Sequence, residues 1–415
     1  MTAPLWLLAL CLASPASAVY LRGYDALHDK GRLDALFDGF WDQDYDDVEP
    51  LPPPKAVETP APGPGEDGGL LRRVRPAALR RLIGHSSVVS DAVFDPAGTR
   101  VLTASWDGTA RLWDSGTGAE LRSVRHGEGG RGQAIETAAF SRDGGRFVTA
   151  GADGAAYVWS ADPSQAPVVL RGHSKAIEAA GWSADGLRLF TASKDQTVRL
   201  WDAADGRELR ALPHPQRARA AAFSPDGARL LTGCDDGSAR LWDVETGALL
   251  RTLPGAPGAA VRAVAFGPDG ARAAVADTDA RVWDLASGRE ERSWSFRGYQ
   301  VESLAFHPKG RKLLLATSDG TVTVRELATG KVSAELRVGR GLYSAAYSPD
   351  GSRVVVSLGA EGAEVWKVDH SPEELEVIRR AMEAEVKPLP EPGAPSAPPP
   401  TRPLARDRFR RRPGG

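Results

Sequence analysis

Four histidines, His85, His126, His173 and His214, follow one another at intervals of 41, 47 and 41 residues. Each is followed by an acid: Asp107, Asp153, Asp195 and Asp236. Imidazole beside carboxylate is the raw material of a metal centre or a general base. Glu136, Glu178 and Glu302 also recur in step and could converge on a cation at one mouth. Cys234 is a nucleophile by residue type, and "GEGGRG" (127–132) fits the Gly-x-Gly-x-x-Gly pattern of nucleotide loops. Each has a plainer reading. Even spacing puts one packed imidazole in each of several equivalent units instead of four in one ligand set. Arg219 and Arg262 occupy the same repeat position as the three glutamates and would neutralise a cation site. Cys234 stands where equivalent units carry Ser105 and Ser193, a small residue for a small residue. The glycine run leads into a strand and not a helix, which makes it an insertion between units. No zinc-protease helix motif, Gly-x-Ser-x-Gly or phosphate loop occurs, so no cofactor, metal or catalytic residue is assigned.

The elements that carry these residues repeat. Trp113, Trp159, Trp201, Trp242, Trp283 and Trp366 are separated by 46, 42, 41, 41 and 83 residues. The last interval is two periods, with Arg325 at the missing mark, so there are seven units of about 41 residues. A turn signal recurs in every unit: "DPAGTR" (95–100), "SRDGGR" (141–146), "SADGLR" (183–188), "SPDGAR" (224–229), "GPDGAR" (267–272), "HPKGRK" (307–312) and "SPDGSR" (348–353). Pro or an equivalent opens the turn and Gly supplies the left-handed residue that returns the chain to a strand. Short aliphatic runs such as "RVLTAS" and "RLLTGC" flank it. Each unit therefore reads as several short strands joined by tight turns.

Gly84-His85 and Gly172-His173 near the start of a unit, with Trp113-Asp114, Trp201-Asp202, Trp242-Asp243 and Trp283-Asp284 at the end, resemble the WD-repeat (WD40) β-propeller family. The likeness covers roughly residues 75–368. Units two, six and seven depart from it, ending Trp159-Ser160, Arg325-Glu326 and Trp366-Lys367, and units five to seven lack the His. The resemblance implies an all-β, seven-bladed propeller. It also implies a network in which the Asp bonds the His ring, a hydroxyl bonds the His, and the indole N–H bonds that hydroxyl. Carried over, the complete sets are His85–Ser105–Asp107–Trp113 and His173–Ser193–Asp195–Trp201, with Gly151 and Cys234 in the hydroxyl position of units two and four. Because a repeat of this family begins with the outer strand of the preceding blade, residues about 78–83 should close the last blade. The basic residue after each turn, from Arg100 to Arg353, should face the acid of the Trp-Asp pair across the hairpin.

A fold alone does not assign a function. WD-repeat propellers commonly bind a protein or peptide on one flat face, and the positions carried over to that face are Ser90, Trp106, Glu136, Glu178, Lys194, Arg217, Arg219, Asp235, Arg262, Glu302 and Tyr343. Trp106 should be the exposed anchor. Lys194, Arg217, Arg219 and Arg262 should form a cationic group able to seat an acidic segment, either a partner's or residues 34–49 of this chain. The expectation is a non-catalytic interaction scaffold, a monomeric propeller within a larger assembly. Two other readings are an enzyme or metal-dependent activity at the channel mouth, and a structural envelope component tethered by its flanks. Net charge is −2, so whole-molecule electrostatics does not favour nucleic acid.

The flanks differ in kind. "LWLLALCLA" (5–13) is far short of the roughly 20 apolar residues needed to span a bilayer, and Ala16-x-Ala18 follows it. Residues 1–18 therefore read as a signal peptide, although no Lys or Arg precedes the run, and the mature chain as exported (periplasmic or secreted), with a cytoplasmic location as the alternative. The acidic, amphipathic stretch 19–48 carries Leu33, Leu36, Phe37, Phe40 and Trp41 on one helical face, docked on the propeller or on a partner. Residues 49–74 are a Pro-rich linker, 371–387 a helix opened by Ser371-Pro372 with Glu374, and 388–415 a disordered Pro/Arg-rich tail.

Overall fold

The computed structural model describes residues 78–127, 133–256, 258–296, 298–339 and 341–368. The expected signal peptide, acidic segment, linker, C-terminal helix and tail lie outside them, as does most of the 127–132 insertion. Among the described residues the regular structure is entirely strand, and no helix is long and apolar enough to cross a membrane.

There are seven four-stranded antiparallel sheets. Blade one runs from its inner strand, Val89–Phe94, through Arg100–Ser105 and Thr109–Asp114 to an outer strand, Glu120–Arg125. The other blades repeat that order. The second strand of each is nearly all buried, as in Arg100–Ser105 and Lys312–Thr317, because both of its faces pack against neighbouring blades. That double burial is why these strands read as continuous aliphatic runs and not as alternating ones.

The core is divided into clusters, one at each junction between blades. Val148, Leu170, Ile177, Leu189 and Trp201 pack blade two on blade three; Phe190, Leu200, Leu230 and Trp242 pack three on four; Leu314, Val324, Leu342 and Val356 pack six on seven. The seventh junction uses the start of the chain. Arg80–Leu82 pairs with Ala363–Lys367 as the outer strand of blade seven, in the register Arg80↔Val365, Arg81↔Glu364 and Leu82↔Ala363. Leu82, fully buried, joins Val89, Trp113, Val355 and Val365 at this seam. The closure expected from the sequence is present, and it removes a sheet edge.

Two rings of arginine tie successive blades together. The residue after each Gly turn does lie opposite the end of the Trp-Asp strand, as in Arg100↔Asp114 and Arg229↔Asp243. In blades one, two, four and seven its side chain, however, does not pair with that position, contrary to the expectation, while Arg188 binds Glu245 and Arg272 binds Glu291. Arg100, Arg146, Arg229 and Arg353 donate across the junction to the carbonyls of Gly144 (2.9 Å), Gly186 (2.8 Å), Gly270 (2.9 Å) and Gly98 (2.7 Å). Each guanidinium also lies over an aromatic ring of the next inner strand, respectively Phe140, Trp182, Phe266 and Phe94. The acid of the pair is engaged elsewhere: Asp114 accepts from the amides of Gly116 (3.0 Å) and Thr117 (2.7 Å) and fixes the following turn. The second ring lies on the outer strands, where Arg80, Arg122 and Arg292 donate to the turn carbonyls of Gly116, Ser160 and Ala328 in the next blade.

One turn is locally strained. Gln196 has φ 71° where the equivalent turns place Gly108, Gly154, Gly237 and Gly320. A side chain in this left-handed region costs about 1–2 kcal/mol, partly offset by the entropy a glycine loses on folding. Gln196→Gly is therefore expected to stabilise the protein by about 0.5–1 kcal/mol, read as a higher midpoint in urea unfolding with an unchanged slope.

Candidate partner-binding face

The loops on one face are held by hydrogen-bond networks inside the blades. In blade one, the indole N–H of Trp113 donates to Thr103 Oγ1 at 2.8 Å, and Thr103 lies 2.7 Å from His85 Nε2. His85 Nδ1 lies 2.9 Å from Asp107 Oδ2. A neutral imidazole fits this network: the hydroxyl, which accepts from the indole, can donate to Nε2 while Nδ1–H donates to Asp107. Blade three repeats it with Trp201, Thr191, His173 and Asp195. The hydroxyl is thus Thr103 or Thr191, and not Ser105 or Ser193. Those serines sit two residues further on, where they accept from the amides of Asp107 and Asp195 and shape the turn. Gly151 and Cys234 accordingly break nothing, because Thr149 and Thr232 serve Trp159 and Trp242 in blades two and four. The glycine before the histidine follows from the packing: a Cβ on Gly84 would meet Arg111 at 2.8 Å and Trp113 at 3.1 Å.

The networks differ electrostatically. Burial pushes the Asp107 carboxyl up, but bonds from Thr109, the Ser86 amide and His85 outweigh it and bring it down to about 2. Burial lowers His85 and His173, each partly compensated by its Asp. In blade four Arg240 takes Asp236, so His214 donates Nδ1–H to the Leu212 carbonyl at 3.0 Å instead of bonding that carboxylate. Burial then lowers His214 to about 4.

Bulges aim the face residues. The inner strand breaks register between Val89/Asp91, Ile135/Thr137, Ile177/Ala179, Ala218/Ala220 and Val301/Ser303. The residue skipped is Ser90, Glu136, Glu178, Arg219 or Glu302. A bulged residue leaves the ladder and its side chain is re-aimed. Glu178 sits at the centre of a charged group, 2.9 Å from Arg217, 3.7 Å from Lys194 and 3.8 Å from Arg219, and Arg219 also pairs with Asp235. Arg262 pairs with Glu302 at 3.2 Å. The expected cationic group is therefore compensated by acids of its own and neighbouring blades, and the three glutamates do not converge. Ser90 is buried, its hydroxyl donating to the Ile135 carbonyl at 2.7 Å, so it ties two blades instead of facing solvent.

Trp106 is half-buried and not fully exposed. Its indole N–H donates to Glu136 Oε2 at 3.1 Å, and its ring meets Tyr343 edge-to-face at 6.0 Å. These three side chains come from blades one, two and seven, straddling the closure seam. Beside them lies Asp91, which the sequence reading missed. It accepts from Thr137 Oγ1 (3.2 Å) and the Ala138 amide (3.1 Å), and burial raises its pKa. The available signal was an acid in "VSDAVF" where other inner strands carry Ala, Ser or Thr.

The family model for the WD domain, G-beta repeat, matches residues 77–114, 122–160, 165–202, 206–243 and 247–284. The model for the anaphase-promoting complex subunit 4 WD40 domain matches 280–359. Curated relatives match over short stretches. The small ribosomal subunit protein RACK1 of Neurospora crassa is 56% identical over 39 residues, 9% of this chain and 12% of its own length. MST50-interacting protein 11 of Pyricularia oryzae is 51% identical over 43 residues, 10% and 14%. The small ribosomal subunit protein RACK1z of Oryza sativa subsp. japonica is 42% identical over 62 residues, 15% and 18%. The chain thus spans less than a fifth of the length of each.

The lowered pKa of His214 sets a pH dependence. The unfolded imidazole takes a proton near pH 6.5 and the folded one near 4, so between these values the unfolded state binds more protons. Stability is full above pH 6.5 and falls as the pH drops toward 4, by roughly 3 kcal/mol from this group. His214→Asn is expected to flatten that part of the curve in urea titrations run from pH 7 to 4.5, while a variant as pH-sensitive as the wild type would contradict the assignment.

Proposed function

The chain belongs to the WD-repeat family, and on that premise we propose that it is a non-catalytic scaffold that takes a protein or peptide partner on the face where Trp106, Glu136 and Tyr343 meet. The observation that carries this reading is the aromatic pair fixed across the blade-seven/blade-one seam. Large, rigid aromatics with a polar handle dominate binding energy at protein interfaces. Here the indole is oriented by a carboxylate, so little ordering entropy is lost when a partner covers it. The compensated ion pairs of Glu178 and Arg262 make a polar rim. The names of the relatives agree with this, since one describes a protein that interacts with another and two describe a ribosomal subunit protein. The leader-like residues 1–18 support an exported compartment, which N-terminal sequencing of the mature chain tests.

The direct test identifies the partner by affinity capture from the native source and titrates it calorimetrically. Trp106→Ala is expected to weaken binding about thirtyfold with an unchanged melting temperature. Unchanged affinity in both Trp106→Ala and Tyr343→Ala would overturn the placement of the site.

A further inference from the structure

Asp91 is the one acid at its level of the inner strands. The equivalent position in the other blades carries Thr137, Ala179, Ala220, Ala263, Ser303 and Ser344. Ser303 and Ser344 show what a side chain does there. Each accepts the inner-strand amide of the next blade, from Ala345 at 3.3 Å and from Ala92 at 3.0 Å. A hydroxyl suffices for that tie. Asp91 makes the same tie, to the Ala138 amide, but with a half-buried carboxylate whose charge burial disfavours. Withdrawing a charge from water costs more than withdrawing a hydroxyl, so the tie alone does not account for the acid.

Its further bonds run to both flanks of the Trp106 face. Toward blade two, Oδ2 accepts from Thr137 Oγ1 at 3.2 Å as well as from the Ala138 amide at 3.1 Å. Toward blade seven, the carboxylate is bonded by the Ser344 hydroxyl. The Ser344 oxygen already accepts from the Ala92 amide and from Ser357 Oγ at 3.2 Å, which leaves its own proton for Asp91. Oδ1 accepts from the Ala92 amide at 2.9 Å. Glu136 immediately precedes Thr137, and Tyr343 immediately precedes Ser344. Trp106, which meets both, is held through its amide by the Val88 carbonyl at 2.9 Å, where the chain enters the strand of Asp91. One carboxylate thus holds the neighbours of the two residues that frame the indole.

We propose that Asp91 is the positioning residue of this face: bonded to blade two on one side and to blade seven on the other, it sets the spacing at which Glu136 and Tyr343 meet Trp106. That a partner thereby meets an ordered anchor rests on the function proposed above; the clasp itself is a property of the free chain and is tested there. An amide cannot replace the acid. Both oxygens of Asp91 accept backbone N–H groups, so in Asp91→Asn a side-chain N–H faces a backbone N–H whichever way the amide turns.

Nuclear magnetic resonance of the full chain with isotope-labelled tryptophan tests this without a partner. The Trp106 indole N–H is the signal lost in Trp106→Phe. In Asp91→Asn it is expected to shift or split and to exchange with water at least about threefold faster. The Trp201 indole, bonded to Thr191 in blade three, should be unmoved. Ser344→Ala, which releases the clasp from blade seven, should move the Trp106 signal as well. Thermal melts verify that the variants fold. A Trp106 signal unmoved in both would overturn the proposal, because a residue that only stabilises the ring lowers the melting temperature and leaves that signal in place. So would a change shared equally by the Trp201 indole, the mark of a general loosening.

Discussion

The structure depends on burial at the junctions between blades. No sheet here has a core of its own: the aliphatic second strands are covered on both sides only by neighbours. Such an arrangement has no stable end. An open row would leave one face of the first blade and one of the last in water, at a cost of roughly 25 cal/mol for each Å² of apolar surface. The ring must therefore close, and the chain closes it by lending Arg80–Leu82 to the last blade. The same seam carries a tie from each arginine ring, Arg353 to the Gly98 carbonyl and Arg80 to that of Gly116. The aromatic pair of the proposed face and the half-buried Asp91 stand over that seam, so their geometry exists only in the closed ring.

Much of this was legible in the sequence because it recurs in phase. The seven units, the histidines as internal partners and the borrowed outer strand all follow from period and position. The hydroxyl of the network did not. Thr103 and Ser105 lie two apart on one strand and point to the same face, so spacing cannot choose between them. Only the indole's reach does. The arginine ring was hidden for a different reason. Arg100 is opposite Asp114 in the ladder, and the pairing rule is sound, but the carboxylate is consumed by the next turn's amides and the guanidinium finds a carbonyl and an aromatic face 40 or more residues away. Charge compensation on the face was illegible likewise, since Glu178 and Arg217 are contributed by different blades.

The blades also divide into two kinds. Blades one to four keep the Thr–His–Trp network, while blades five to seven carry Val275, Leu315 and Val356 in place of the threonine and lack the histidine as well. The losses go together because the hydroxyl bonds both rings, so without it the imidazole and the indole each lose a partner. The indoles of Trp283 and Trp366 indeed have no hydrogen-bond partner among the described residues. In blade five Arg281 has taken over the carboxylate, pairing with Asp277 at 2.8 Å. Blade geometry survives this exchange, which places the constraint in the junction packing and not in the histidine network.

Closure of the ring is the claim on which the rest stands. Arg81 and Glu364 face each other across the seam, joined by an ion pair of 2.7 Å. Directly opposed residues of antiparallel strands lie about 4.5–5.5 Å apart at Cα, within the span of a disulfide. Replacing both by cysteine in a Cys234→Ser background should give an intramolecular Arg81→Cys/Glu364→Cys bond under mild oxidation and raise the urea midpoint of the oxidised form above that of the reduced one. Failure of the two cysteines to join, or a bond that leaves the midpoint unmoved or lower, would contradict a wheel closed by its first strand.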